Sequence, residues 1–163
     1  MSGLSTDIFF IAAIKSNETL MARLPAGDIY NNVANPDFDM ENVQIPYIIV
    51  NNDGGRNGTG TKDETYEADE DSVMVSIRMV ARNRKELDDI ANEVRETILG
   101  YIREMDESID EGEEPEGWQL KPSQYEFSFS DIAYDMQKPS FTIMFYYQCD
   151  VGNHTQDDED DGE

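Results

Sequence analysis

The chain has 163 residues, and its 36 acidic and 12 basic side chains give a formal net charge of −24. Charge of this sign disfavours direct binding to nucleic-acid phosphates, and a single cysteine, Cys149, excludes an internal disulfide. No apolar run reaches the length of a membrane span. We therefore expect one soluble, cytoplasmic domain over residues 1–152, without a membrane partner.

Three acidic stretches carry most of the charge. Residues 53–71 hold seven acids and two bases, 104–116 hold eight acids, and 153–163 hold six acids, which leaves fifteen acids and ten bases elsewhere. Acid runs repel themselves and stay solvated. The sequence therefore predicts a flexible arm over residues 51–70, an acidic loop over 104–118 and a disordered acidic C-terminal tail over 153–163.

The first predicted element is a helix over residues 4–24, interrupted near Ser16 and Asn17. Phe9 and Phe10 add to its apolar stripe, so the helix is apolar almost all round. A helix of this kind is buried on more than one side. We expect it to lie between the sheet and a neighbouring subunit, which makes both phenylalanines interface candidates.

Two strands and a strand–helix unit follow in the chain. A short strand is predicted at residues 28–30, and an apolar, β-branched run predicts a strand at 45–51. Within residues 71–105, the first part alternates apolar and polar side chains, as a strand does. From Asn83 the apolar side chains recur every three or four residues, as in an amphipathic helix. Asn83 and Glu86 fit a capping box at its start. This pattern predicts a strand followed directly by the helix that covers it.

The closing part of the chain predicts a hairpin. Alternation over residues 125–130 and 141–151 indicates two antiparallel strands, with a bulge near Ser130 or Asp131. Trp118 is expected to hold the acidic loop against the body and is a further interface candidate. The predicted fold is α+β, with a mixed or antiparallel sheet of about four main strands and two helices packed on one face.

Catalytic constellations are scarce in the sequence. His154 is the only histidine and falls in the predicted tail, which argues against histidine metal sites and against histidine-activated nucleophiles. Cys149 lies on the apolar face of a strand, where a structural thiol is the better interpretation. We therefore expect no enzyme, no catalytic or metal-binding residues and no cofactor.

The one basic concentration in the chain surrounds the start of the predicted helix, at Arg78, Arg82, Arg84 and Lys85. These bases either balance nearby acids as solvated charge or form an interface with an acidic loop of a neighbouring copy. Both interpretations remain open from the sequence. Arg56, within the predicted arm, is a further interface candidate.

The order of these elements and three local strings resemble the tail-terminator, or tail-completion, proteins of long-tailed bacteriophages and prophages. The strings are GDIY at residues 27–30, PYIIV at 46–50, and RKELDDIA at 84–91 followed by Val94 and Arg95. The resemblance covers about residues 4–102. The arm, the acidic loop and the tail are larger and more acidic than the family pattern requires.

This resemblance implies a structural role without catalysis. Members of the family look like hexameric rings that cap the head-proximal end of the tail tube, stop its polymerisation and meet the head connector. The implied partners are further copies of the chain, the tail tube protein and a head-completion protein, with DNA passing through the lumen without specific binding. The implied location is the tail or neck of a virion assembled in the bacterial host cytoplasm.

Two functions other than a tail-terminator ring are also compatible with the sequence. One is a different neck component, such as a head-closure protein. The other is an acidic protein that mimics nucleic acid and occupies the basic cleft of an enzyme. For the ring, we expect some of the acid to face the lumen and repel DNA, and the arm to order against a neighbouring subunit or the tail tube.

Overall fold

The computed structural model describes residues 6–31, 43–57, 70–110 and 117–154. Within these ranges the chain forms three helices and one mixed six-stranded sheet, which confirms the predicted α+β class. The helices are α1 (Thr6–Lys15), α2 (Glu18–Ala22) and α3 (Arg84–Asp110). The strands are β1 (Tyr30–Asn31), β2 (Tyr47–Asn57), β3 (Glu70–Ala81), β4 (Gly117–Phe129), β5 (Ala133–Asp135) and β6 (Ser140–His154).

The sheet has the strand order β1-β2-β3-β6-β4, and β5 pairs with β6 beyond the end of β4. The short strand β1 is parallel to β2, and all other pairs are antiparallel. The central pair β3–β6 stays in register from Glu70 opposite Gly152 to Ala81 opposite Phe141. The four long strands β2, β3, β6 and β4 are the main strands that the sequence predicted.

Both long helices cover the same face of the sheet. Alternate residues of β3 and β6 enter one hydrophobic core with α1, α2 and α3, and side chains such as Val75, Ile77 and Met79 are fully buried there. The predicted stripe of α3, including Val94 and Ile98, faces this core. No helix in the described ranges is long and apolar enough to span a membrane.

Local hydrogen bonds set the helix starts that the sequence predicted. The side chain of Asn17 accepts a hydrogen bond from the Leu20 N–H at 3.1 Å, which begins α2 after the predicted interruption. The Asn83 side chain accepts from the Glu86 N–H at 2.9 Å. The Glu86 carboxylate in turn accepts from the Arg82 N–H at 3.1 Å, one residue earlier than in a standard capping box.

Part of the predicted flexible arm is a strand. β2 continues to Asn57, so the prediction for residues 51–70 is wrong over 51–57 and at residue 70, while residues 58–69 lie outside the described structure. The Asn57 side-chain amide donates to the Asp71 carboxylate at 2.9 Å across the pair. Pairing with β3 through the backbone therefore orders a stretch that has no apolar periodicity of its own.

The acidic loop and the tail are also shorter than predicted. α3 continues to Asp110 and β4 begins at Gly117, so the loop prediction for 104–118 is wrong at both ends, and 111–116 lie outside the described residues. Glutamate and methionine are good helix formers, which explains the extension. β6 reaches His154, so the tail prediction fails at residues 153–154. The rest of the tail, 155–163, is not among the described residues.

The predicted bulge in the closing hairpin is confirmed. Phe129 faces Phe145 and Tyr134 faces Phe141, so five steps along β4 and β5 match four along β6. At the extra residue, the Ser130 N–H donates to the Met144 carbonyl at 2.9 Å, and the Met144 N–H donates to Ser130 Oγ at 3.0 Å. The serine therefore keeps the strand attached across the irregularity.

Candidate functional site

Two of the four predicted bases form ion pairs with acids four residues later in the chain. Arg82 Nε lies 3.7 Å from the Glu86 carboxylate, and Arg84 Nε lies 3.2 Å from the Asp88 carboxylate. The Arg84–Asp88 pair lies within α3, where an exposed pair spaced by four residues contributes roughly 0.3–0.5 kcal/mol, whereas Arg82 precedes the helix. Lys85 is exposed and makes no ion pair with any described residue. The solvated-charge interpretation therefore fits Arg82 and Arg84.

Arg78 lies apart from the other three bases. It points to the sheet face opposite the helices, here called the open face, between Ile49 of β2 and Met144 of β6. A second, smaller hydrophobic cluster occupies one end of this face and includes Tyr47. Burial raises the pKa of Tyr47, and the nearby charge of Arg78 partly opposes that shift. The four bases do not form one patch.

Of the two interface residues predicted on the first helix, Phe9 is partly exposed and Phe10 is buried. Phe10 is fully buried, with its ring 5.4 Å from that of Phe9 and 5.0 Å from that of Tyr147. Its prediction as an interface residue is wrong, because the core uses the whole side chain. Phe9 is half-buried and stacks edge-on against Tyr101 at 5.3 Å. The large apolar side chain that α1 exposes is Ile8, at 59% exposure.

Arg56 lies at the outer edge of the sheet, where β2 has a bulge between Asn52 and Gly55. It is exposed and borders a pocket of about 160 Å³ on the β2–β3 pair, which Gly55 and Val73 also line. Trp118 belongs to β4 and pairs with Asn153 of β6 through the backbone. Its side chain is outside the described structure, so the predicted contact with the acidic loop stays a prediction.

Three large apolar side chains that were not predicted as surface residues are exposed at the opposite end of the sheet. They are Phe129, Tyr134 and Met136, at 62%, 53% and 82% exposure, and are here called together the apolar edge. The rings of Tyr134 and Phe141 lie 4.9 Å apart. Met136 could have indicated this exposed apolar surface from the sequence, because it is an apolar residue in the polar connection before β6. The strand alternation gave no signal for Phe129, since it predicted burial.

Aromatic packing closes the sheet beneath α3. The guanidinium of Arg95 lies 4.3 Å from the centre of the Phe127 ring, a cation–π contact. A pocket of about 90 Å³ beside it is lined by Leu99, Tyr125 and Tyr147 as well. Burial raises the pKa of Tyr147, which keeps its phenol neutral. This region is suited to apolar contact.

Cys149 is a buried thiol, as predicted. It is fully enclosed in the core, and burial, followed by the charge of Asp150, raises its pKa to about 12. A thiol in this environment is a poor nucleophile at neutral pH. No group of three or more histidine, cysteine, aspartate or glutamate side chains within the described ranges could hold a metal ion.

The described structure thus has two unlike surfaces, one at each end of the sheet. Arg56 and the pocket lie toward the β1–β2 end, and the apolar edge lies toward the β4–β5 end. Comparison with models of known protein families gave no match, and a search of curated proteins gave none either. Functional interpretation therefore depends on the surfaces themselves and on the sequence resemblance.

Proposed function

We propose that this chain is a structural virion protein that forms a ring of six copies at the head-proximal end of a phage tail tube. There it ends tube polymerisation and joins the tail to the head connector. The observation that carries the proposal is the presence of unlike surfaces at opposite ends of the sheet. A closed cyclic ring needs two different complementary surfaces on every subunit, whereas a two-fold dimer needs one.

The positions of the three family-like strings support the same proposal. GDIY leads into β1, PYIIV leads into and begins β2, and RKELDDIA begins α3. The strings therefore fall on consecutive parts of one packed unit rather than on unrelated loops. The charge of −24 also suits a lumen through which DNA passes, because like charges repel.

The experiment that tests the proposal is a measurement of solution mass across ionic strength. Strong like charge opposes assembly at low salt, and the screening length falls from about 10 Å at 0.1 M to about 3 Å at 1 M. We expect a species of six times the 18.6 kDa chain mass as salt or protein concentration rises. A strict monomer under all conditions would contradict the ring.

A second measurement tests the terminator role itself. The purified ring, added to polymerising tail tube protein, should bind one end of the tube and stop its growth, as seen by negative-stain electron microscopy. A mixture with a matched acidic protein of similar charge controls for non-specific effects. Tubes that grow unchanged beside intact rings would contradict termination and leave another neck role.

One observation favours a second candidate, nucleic-acid mimicry. The acids Glu104, Asp106 and Glu107 are exposed on the last turns of α3, so a rigid helix holds them at fixed spacing. Mimicry needs charges at fixed spacing, which a flexible loop would not supply. A monomer that competes with DNA for the basic cleft of a nucleic-acid enzyme would favour this function over the ring.

A further inference from the structure

We propose that the pocket between α3 and the last strand of the sheet, β4, receives a carboxylate side chain from the neighbouring copy in the ring. Arg95 pairs with this carboxylate, and the hydroxyl of Tyr147 donates a hydrogen bond to it. This inference rests on the proposed function and names the chemistry of one contact between copies.

The pocket is small and lies at one end of the sheet. It has a volume of about 90 Å³, and the described residues that line it are Arg95 and Leu99 of α3, Tyr125 and Phe127 of β4, and Tyr147 of β6. β4 is the last strand in the sheet order, and α3 packs on it. Sites for whole small molecules have volumes of about 300–1,000 Å³. A pocket of this size therefore suits the end of one side chain better than a complete ligand.

The hydroxyl of Tyr147 is a hydrogen-bond donor on a buried side chain. The side chain is 2% exposed, and its ring centre lies 5.0 Å from those of both Phe10 and Phe127. Its hydroxyl makes no hydrogen bond with any described residue. A buried hydroxyl without a partner costs free energy. A group that enters the pocket and accepts this hydrogen bond would remove that cost.

Arg95 supplies a positive charge to the same pocket. Its guanidinium lies 4.3 Å from the centre of the Phe127 ring. The side chain is exposed and makes no ion pair with any described residue. The contact with the ring uses the flat face of the guanidinium, whereas its N–H groups lie in the plane and can bind a carboxylate.

The polar groups of the pocket act on one another. The rings of Tyr125 and Tyr147 are 6.0 Å apart. The pKa of Tyr147 is raised first by burial and then by the charge of Tyr125, and it is lowered by the charge of Arg95. The phenol therefore stays neutral and can donate a hydrogen bond, and the positive charge of Arg95 disfavours a cation. A carboxylate is the group that matches both properties.

A second copy of the chain is the source of carboxylate that the surroundings favour. The chain has 36 acids and 12 bases, so its own surface is rich in carboxylates. Phe129 is 62% exposed, and its ring lies 6.0 Å from that of Phe127 in the pocket. A free carboxylate would leave Phe129 exposed, whereas a neighbouring copy on the pocket would bury it. Arginine and aromatic side chains around a desolvated pocket are typical of interface hot spots.

Two substitutions test the contact by its effect on assembly. Arg95→Gln and Tyr147→Phe should each raise the concentration of half-assembly on the order of tenfold, because each removes a charge-assisted hydrogen bond. The matched control is Arg103→Gln, since Arg103 is an exposed arginine of α3 outside the described lining of the pocket. Assembly of both variants like the wild type, or an equal loss in the control, would overturn the contact.

The Tyr147→Phe variant also separates a contact between copies from a role in the fold. It removes only the hydroxyl and keeps the ring with its packing. Because that hydroxyl has no described partner, the urea midpoint of the monomer should stay the same or rise while assembly weakens. A midpoint that falls together with assembly would show that the hydroxyl stabilises the single chain and would overturn the proposal.

Zero-length cross-linking identifies the carboxylate. Arg95→Lys places a primary amine at the pocket, and a water-soluble carbodiimide joins such an amine to a contacting carboxylate as an amide. Rings are assembled from a mixture of unlabelled and isotope-labelled chains of this variant. We expect cross-linked peptides that combine one light and one heavy chain. Arg103→Lys is the matched control and should give few such links from its own position.

The outcomes separate this inference from the proposed function. Links between light and heavy chains at position 95 support the contact. Links only within one chain would show that an acid of the same copy fills the pocket and would overturn it. Rings that persist in Arg95→Gln, with loss only of binding to tail tubes, would overturn the contact and leave the ring. A wild-type chain that never assembles would overturn both.

Discussion

Replacement of Phe10 by alanine separates a core residue from an interface residue. Phe10 is fully buried within a single chain and lies between the rings of Phe9 and Tyr147. Its loss removes buried apolar area and leaves a cavity, because neighbouring side chains relax only in part. If the phenylalanine belonged to a contact between copies, the monomer would keep its stability and only assembly would weaken.

We expect Phe10→Ala to lower the free energy of unfolding of the monomer by about 3–5 kcal/mol, the range for buried aromatic side chains. The upper part of that range is expected here, since two ring contacts worth about 0.5–1.5 kcal/mol each are lost as well. This is a large fraction of the roughly 5–15 kcal/mol that stabilises a whole domain. The variant should therefore unfold at a clearly lower urea concentration than the wild type.

The assay is urea unfolding followed by far-ultraviolet circular dichroism at low salt, where assembly does not contribute. The matched control is Ile8→Ala on the same helix, because Ile8 is 59% exposed and its loss should change stability by no more than about 0.5 kcal/mol. A cost below about 1 kcal/mol, together with a loss only of assembly mass, would show that Phe10 acts at a contact between copies and not in the core.

Three further predictions concern stability and reactivity. Gly100→Ala should stabilise the chain by about 0.5–1 kcal/mol, because the added Cβ would enter open space beside α3. Gly55→Ala should destabilise the chain by about 1–3 kcal/mol, because the added Cβ would meet backbone atoms of β3. Urea unfolding that shows the same sign of change for both variants would contradict this. The Cys149 thiol, whose pKa burial raises to about 12, should react with iodoacetamide at pH 8 only as fast as the fold opens, and rapid labelling of the native chain would contradict its burial. Lys15 lies 2.7 Å from the Asp28 carboxylate and holds the pKa of that carboxyl below its ordinary value of 3.8. The ion pair therefore stabilises the folded chain above pH 3.8, and this stabilisation is lost as the pH falls through the pKa of Asp28 in the folded state. Urea midpoints should therefore differ between wild type and Asp28→Asn at pH 7 and converge in acid; an equal difference at both pH values would contradict this linkage.

The central strand and its helix could be predicted because side-chain periodicity alone defines them. One face of β3 and one stripe of α3 are buried in a common core, so both periods are visible in the sequence. The same method failed at residues 52–57, whose order comes from backbone pairing with β3 and not from apolar side chains. It failed at 104–110 because a run of acids was interpreted as a loop, although glutamate favours helix.

The candidate site was harder to predict, because it depends on strand order. The alternation of Tyr125, Phe127 and Phe129 is the same for an edge strand as for a central one, so exposure of Phe129 could not be inferred. The separation of Arg78 from the later bases was available in principle. Arg78 alternates with buried Ile77 and Met79, which places it on the opposite face of the strand.

The position of β6 in the sheet has a consequence for synthesis on the ribosome. β6 follows every other described element in the chain, yet it lies between β3 and β4 and pairs with β3 along twelve positions. Until Ser140–His154 has left the ribosome, one long edge of β3 has no native partner. Folding therefore waits for a pairing that joins segments about seventy residues apart, and such non-local pairing is slow. During that interval the nascent chain should be a better substrate for chaperones that bind exposed strands than the finished protein is.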